Sequence, residues 1–138
     1  MKRIPGNWFG TLLLAAVLVT STAQSAVDMF LEIDGIPGES TDKAHANQVD
    51  VLAWSWGMSN SGTTHDGGGA GAGKVNFQDL SLTKYVDKSS PQLMLHCANG
   101  QHIAKATLYV RKAGVTPIEY IKIELTDILV SSVSTGGS

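Results

Sequence analysis

Beyond residue 26, apolar and polar residues alternate along much of the chain, the period-two pattern of strands that bury one face. Residues 29–33 (MFLEI) form a short strand that ends at the turn residues Asp34-Gly35 and Pro37-Gly38. Residues 38–48, with Asp42, Lys43 and His45, are polar and read as a surface loop. Residues 49–58 alternate most regularly. Their even positions are Asp50, Leu52, Trp54, Trp56 and Met58, and their odd positions are Val49, Val51, Ala53, Ser55 and Gly57. Strict alternation sends the tryptophan face to the core and leaves the odd positions as a smooth, small-residue wall.

Residues 59–73 (SNSGTTHDGGGAGAG) have almost no apolar bulk. Such a segment buries too little surface to offset its ordering entropy, so it reads as a long loop. Strand patterning returns over 75–87 through Phe77, Leu80, Leu82 and Tyr85. One helix follows. Ser89 or Ser90 can cap it, Pro91 suits its first position, 92–97 form its body and Asn99-Gly100 end it. Leu93, Met94 and Cys97 share a face that packs on the sheet. Residues 105–111 place Ala106, Leu108 and Val110 on one side and Lys105, Thr107, Tyr109 and Arg111 on the other. Residues 119–130 place Ile121, Ile123 and Leu125 opposite Tyr120, Lys122, Glu124 and Thr126. Apolar bulk on both faces after Thr126-Asp127 suggests a bulge there. The end, 131–138 (SSVSTGGS), is a polar tail. About five strands and one helix predict a mainly β fold, a small antiparallel β-barrel or sandwich with one short α-helix packed outside.

The chain has 138 residues, enough for one domain. Its start has the three-part layout of a secretory signal peptide: basic Lys2 and Arg3, the apolar run 12–19 (LLLAAVLV), then small residues to Ala26. The run is shorter than the roughly 20 residues a permanent span needs. Residues 1–25 are therefore expected to be a cleaved leader and 26–138 the domain, with no stable membrane insertion after cleavage. Loss of Lys2 and Arg3 moves the net charge from −2 to −4. No strongly basic face remains for phosphates, which argues against a nucleic-acid partner. The single cysteine, Cys97, cannot staple the domain, so stability must come from the core or from assembly.

No motif carries chemistry convincingly. Residues 68–74 (GGAGAGK) match part of a phosphate loop, but Val75 stands where Ser or Thr should hold magnesium, and a strand follows instead of a helix. His96, Cys97 and His102 give one close ligand pair where structural zinc usually has two. His96 cannot serve Cys97, because neighbours on a helix point about 100° apart. Ser55 lacks a nucleophile-elbow turn. The expectation is no enzyme, no cofactor and no metal.

Several blocks resemble the haemolysin-coregulated protein (Hcp) family of type VI secretion. They are 27–36 (VDMFLEIDGI) with Gly38-Glu39-Ser40, 51–58 (VLAWSWGM), 79–91 (DLSLTKYVDKSSP) with the helix after it, 109–114 (YVRKAG) and 129–133 (LVSSV). The resemblance implies a barrel with one helix, assembled as hexameric rings. The rings stack into the inner tube that a contractile sheath drives out of the cell, and the lumen carries small effector proteins. Implied partners are further copies of the chain, sheath and spike components, and effectors. The resemblance makes Val51, Ala53, Ser55 and Gly57 lumen or interface candidates. It makes Ser61, Thr63, His65, Asp66 and Gly68 candidates for a loop reaching an adjacent ring. Implied localisation is secreted or extracellular. A leader departs from the family pattern and points either to an orphan exported carrier, periplasmic if the leader acts alone, or to a misplaced start. Family members also continue past the stretch matching 134–138 with strands that close the barrel, so this chain is expected either to lack its last strands or to complete itself differently.

Overall fold

The computed structural model describes residues 27–60 and 73–137. The expected leader, 1–25, lies outside the described residues, as does the segment 61–72. Among the described residues seven strands and one helix follow the order β1 (Val27–Ile33), β2 (Val49–Ser55), β3 (Met58–Asn60), β4 (Val75–Phe77), β5 (Ser81–Lys84), α1 (Ser89–Asn99), β6 (Ile103–Lys112) and β7 (Ile118–Ile128). Five strands form one antiparallel sheet in the order β5-β2-β1-β6-β7, and β3 and β4 form a separate two-stranded arm. The mainly β architecture with one helix is as expected. Among the described residues the sheet is not closed into a barrel but open, with β5 and β7 at its edges.

The core lies on one face of that sheet. Leu31 and Ile33 of β1, Val49 and Val51 of β2, and Ala106, Leu108 and Val110 of β6 are buried together with Ile36 and Ile103. Leu93 of the helix and Ile121 and Ile123 of β7 pack against them, partly buried. The alternation read for β6 and β7 therefore holds. Val49 and Leu108 are fully enclosed, and burial of an aliphatic side chain of this kind is worth about 1.5–3 kcal/mol.

The face assignment of 49–58 is overturned in its first half. Val49 and Val51 are core, whereas Leu52 is exposed. The cause is a β-bulge. On β2, Val51 pairs with Lys84 and Ala53 with Thr83, so Leu52 is an extra residue with no partner on β5. An inserted residue reverses the facing of everything after it. Trp54 consequently packs against the core, though three residues from Val51. The strand also ends at Ser55, and residues 58–60 pair with the arm instead.

A second shift falls on β7, where Val110 pairs with Ile121 and Arg111 with Glu119, leaving Tyr120 as the extra residue. The expected bulge at Thr126-Asp127 does not break the register, since Lys105 pairs with Thr126 and Ile103 with Ile128. Asp127 nevertheless takes a left-handed conformation, φ 52°.

The helix begins as two reciprocal bonds require. Asp87 Oδ1 accepts from the Ser89 N–H at 2.9 Å, and Ser90 Oγ accepts from the Asp87 N–H at 3.1 Å. Asp87 is thus the capping side chain, a role the sequence pattern assigns to Ser89 or Ser90. Lys84 Nζ donates to Asp87 at 2.8 Å. Burial opposes ionisation of Asp87, but the bonds from Lys84 and Ser89 outweigh it and hold the carboxyl below its ordinary value. Gly100 closes the helix in the left-handed region, φ 69°, its N–H bonded to the His96 carbonyl.

Candidate assembly surface and polar cluster

The sheet residues after the bulge present two kinds of surface. Ala53 and Ser55 are exposed, while Gly57 is half-buried. A Cβ built on Gly57 would lie 3.1 Å from Gln78 Oε1, so this position faces a side chain of its own chain. Val51 is 6 % exposed and belongs to the core. It is corrected from lumen candidate to core residue, because only positions beyond Leu52 follow the outward facing read for the odd positions. The loop candidates Ser61, Thr63, His65, Asp66 and Gly68 lie outside the described residues.

The β3–β4 arm carries apolar side chains into solvent. Met58 pairs directly with Phe77, and the Trp56 ring stacks near Phe77 with centroids 6.4 Å apart and planes 12° apart. Trp56, Met58 and Phe77 are each about half exposed or more. On the sequence, Trp56 and Met58 read as core. They lie outside it because β2 stops before them and the arm leaves the sheet. Lys74 leads directly into strand β4, with no helix start behind it to hold phosphate.

The opposite face of the main sheet holds a polar cluster that the sequence pattern does not reveal. Loop residues 36–48 fold back on themselves: the Gly38 N–H donates to the Asn47 carbonyl at 2.7 Å, and the Ser40 N–H to the Gln48 carbonyl at 2.9 Å. The turn puts Asp42 and His45 over β1 and β6. Arg111, 8 % exposed, donates through Nη1 to Asp42 Oδ1 at 3.1 Å and through Nη2 to Asp28 Oδ2 at 3.2 Å. Asp42 also accepts from the Ala44 and His45 N–H groups. The Arg111 bond leads these in lowering the Asp42 carboxyl from 3.8 to about 2, against the opposing effect of burial.

His45 is 4 % exposed. Its ring stacks on Phe30 at 4.4 Å and 11°, and tilts against Tyr109 at 4.9 Å. Burial first, then the Glu32 carboxylate at 3.1 Å from the Tyr109 hydroxyl, raise the ionisation of Tyr109 above its ordinary value. His45 and Arg111 both read as surface residues from sequence. Their partners lie up to 83 residues away, so no local pattern could have found the cluster. Among the described residues no three His, Cys, Asp or Glu side chains gather in a metal-holding group.

Fold and surface define a small mainly β protein: one open antiparallel sheet, an external helix and an apolar arm. A family model described as type VI secretion system effector, Hcp, matches residues 30–138. The chain is 62 % identical over 114 residues to Protein hcp1 of Pseudomonas aeruginosa, covering 82 % of this chain and 70 % of that protein. Among solved structures it is similar to Hcp1 from Salmonella typhimurium, with TM-score 0.69, 45 % identity, and coverage of 82 % of this chain and 72 % of that one. A type VI secretion system effector from Yersinia pestis gives TM-score 0.67 and 37 % identity, covering 80 % of this chain and 74 % of that one. The chain belongs to the Hcp family of type VI secretion, the tube proteins of that system.

Proposed function

We propose that this chain is a ring-forming subunit of the type VI inner tube, exported with the tube and acting structurally, without catalysis. Family membership carries the reading. The surface supports it: among the described residues the open sheet leaves β5 and β7 as edge strands, and sheet edges with exposed apolar side chains favour assembly between chains. In a stacked hexameric ring, Ala53 and Ser55 are the lumen-lining positions on β2, and the segment holding Ser61, Thr63, His65, Asp66 and Gly68 reaches toward the next ring. Sheath and spike components would act on the outside of the tube, and small effector proteins would travel in the lumen. Electron microscopy of the purified protein tests this. Six-fold rings are expected, and a strictly monomeric species at high concentration overturns the reading.

A second reading follows from residues 1–25, whose basic, apolar and small-residue blocks suit a cleaved leader. On it, the domain 26–138 is an exported carrier that binds small proteins and builds no tube, in the periplasm or outside the cell. Intact mass of the exported protein separates the two. A start near Ala26 favours the carrier, and retention of residues 1–20 removes it.

A further inference from the structure

His45 engages both of its ring nitrogens. Nδ1 lies 2.9 Å from Gln48 Oε1, and Nε2 lies 2.7 Å from Glu119 Oε1 at the start of β7. A doubly protonated ring donates to both oxygens. A neutral ring carries one hydrogen. Ionised Glu119 can only accept, so that hydrogen must sit on Nε2, and Nδ1 then faces the Gln48 oxygen acceptor to acceptor. The neutral ring keeps both bonds only if Gln48 turns its amide over. That turn is a rotation of the side-chain amide alone, and the Gln48 main chain stays in place, its N–H held by the His45 carbonyl and its carbonyl by the Ser40 N–H.

We propose that His45 is a proton-operated clasp that fastens loop 36–48 to β7, closed when the ring is protonated and loosened when it is neutral. Protonated, the ring bridges Gln48 and Glu119 with two charge-assisted bonds. Neutral, it loses the charge in the Glu119 contact and must break or rebuild the Gln48 contact. The clasp goes beyond the tube reading and does not rest on it.

The charged groups around the ring come from every element packed on it. From the loop itself, Asp42 accepts the His45 main-chain N–H. From β1, Asp28 pairs with Arg111, and Glu32 takes the Tyr109 hydroxyl. From β6, Tyr109 tilts on the ring, while Arg111 lies over Phe30 at 4.8 Å and pairs with Asp42. From β7, Lys122 lies over Tyr109 at 6.0 Å and is itself paired with Glu124 at 2.7 Å. Of the side-chain types in this set, histidine is the one whose ordinary charge change falls between about pH 5 and 8. The Arg111–Asp42 pair holds the loop at its other point and keeps its charges across that range, since each partner favours the ionised form of the other. The loop therefore has one fixed anchor and one that responds to protons.

Nuclear magnetic resonance of the full chain tests the clasp by following the His45 ring nitrogens and the amides of residues 39–48 from about pH 5 to 8. The expected result is loop amides whose shifts follow the protonation of the ring, and slower amide exchange in the loop when the ring is protonated. Glu119 is half exposed, so Glu119→Gln should fold normally while removing the charge; the loop amides should then lose their pH response. A second variant, Gln48→Met, should remove the Nδ1 contact and weaken the same response. A ring that stays in one protonation state throughout overturns the proposal. So does a loop response that survives intact in folded Glu119→Gln.

Discussion

Val51 and Trp54 stand three residues apart on one strand and pack against the same core. A regular strand would put them on opposite faces. Leu52, extra in the ladder between Lys84 and Thr83 pairings, makes the arrangement possible. The pair therefore reports the bulge directly. Val51→Ser should cost about 2–3 kcal/mol by loss of apolar burial and an unpaired buried hydroxyl, whereas Leu52→Ser should cost under about 1 kcal/mol. Urea unfolding measures both, and equal losses would refute the bulge.

Gly38 should tolerate no side chain. A Cβ there would lie 2.3 Å from the Gln48 carbonyl oxygen and 2.6 Å from the Val49 Cα, both main-chain atoms that cannot swing away. Gly38→Ala is expected to lose more than about 2 kcal/mol, within the range of severe backbone clashes. Gly35 offers the contrast. Its φ of 75° strains an alanine, but a Cβ meets nothing within 4 Å, so Gly35→Ala should cost only about 1–2 kcal/mol. Thermal unfolding of the two variants checks the order.

The Asp42–Arg111 pair sets an acid limit. The Asp42 carboxyl is held at about 2 in the folded chain against an ordinary 3.8. A carboxyl lowered on folding contributes stability that is fully present above its unfolded value and lost as pH falls through its folded value. The melting-temperature advantage of the wild type over Asp42→Asn should therefore be constant above about pH 5 and shrink between about pH 4 and 2. An advantage that grows on acidification would contradict the assignment.

Asp87 caps the helix through the Ser89 N–H. Asp87→Ala should destabilise by about 1 kcal/mol or somewhat more, because Lys84 loses its carboxylate partner as well. Ser89→Ala removes only a donor to Asp87 and should cost less. Denaturant midpoints of the two variants decide which side chain is the cap.

Shortening 61–72 should leave the melting temperature nearly unchanged, since loop length alters closure entropy by only about 0.6 kcal/mol per doubling. On the tube reading, the shortened protein should form single rings and lose stacks. Sedimentation measures this, and normal stacking would make the segment a passive linker.

The sequence by itself determined the strand-dominated class, helix α1 with its Gly100 end, and the core faces of β6 and β7. Those features follow from local periodicity and capping, where Ala106, Leu108 and Val110 carry the signal. It also carried the family resemblance, block by block. Only the tertiary structure decided which β2 residues are buried, because one inserted residue, Leu52, reverses facing without altering the apolar pattern on either side. It alone turned Trp56 and Met58 outward, since the departure of the β3–β4 arm depends on pairing partners rather than on residue type. It likewise brought His45 to Glu119 and Arg111 to Asp42, contacts 74 and 69 residues apart. Periodicity reports neighbours within a turn or a strand, and a polar residue reads as solvated until the fold supplies a distant partner to bury it against.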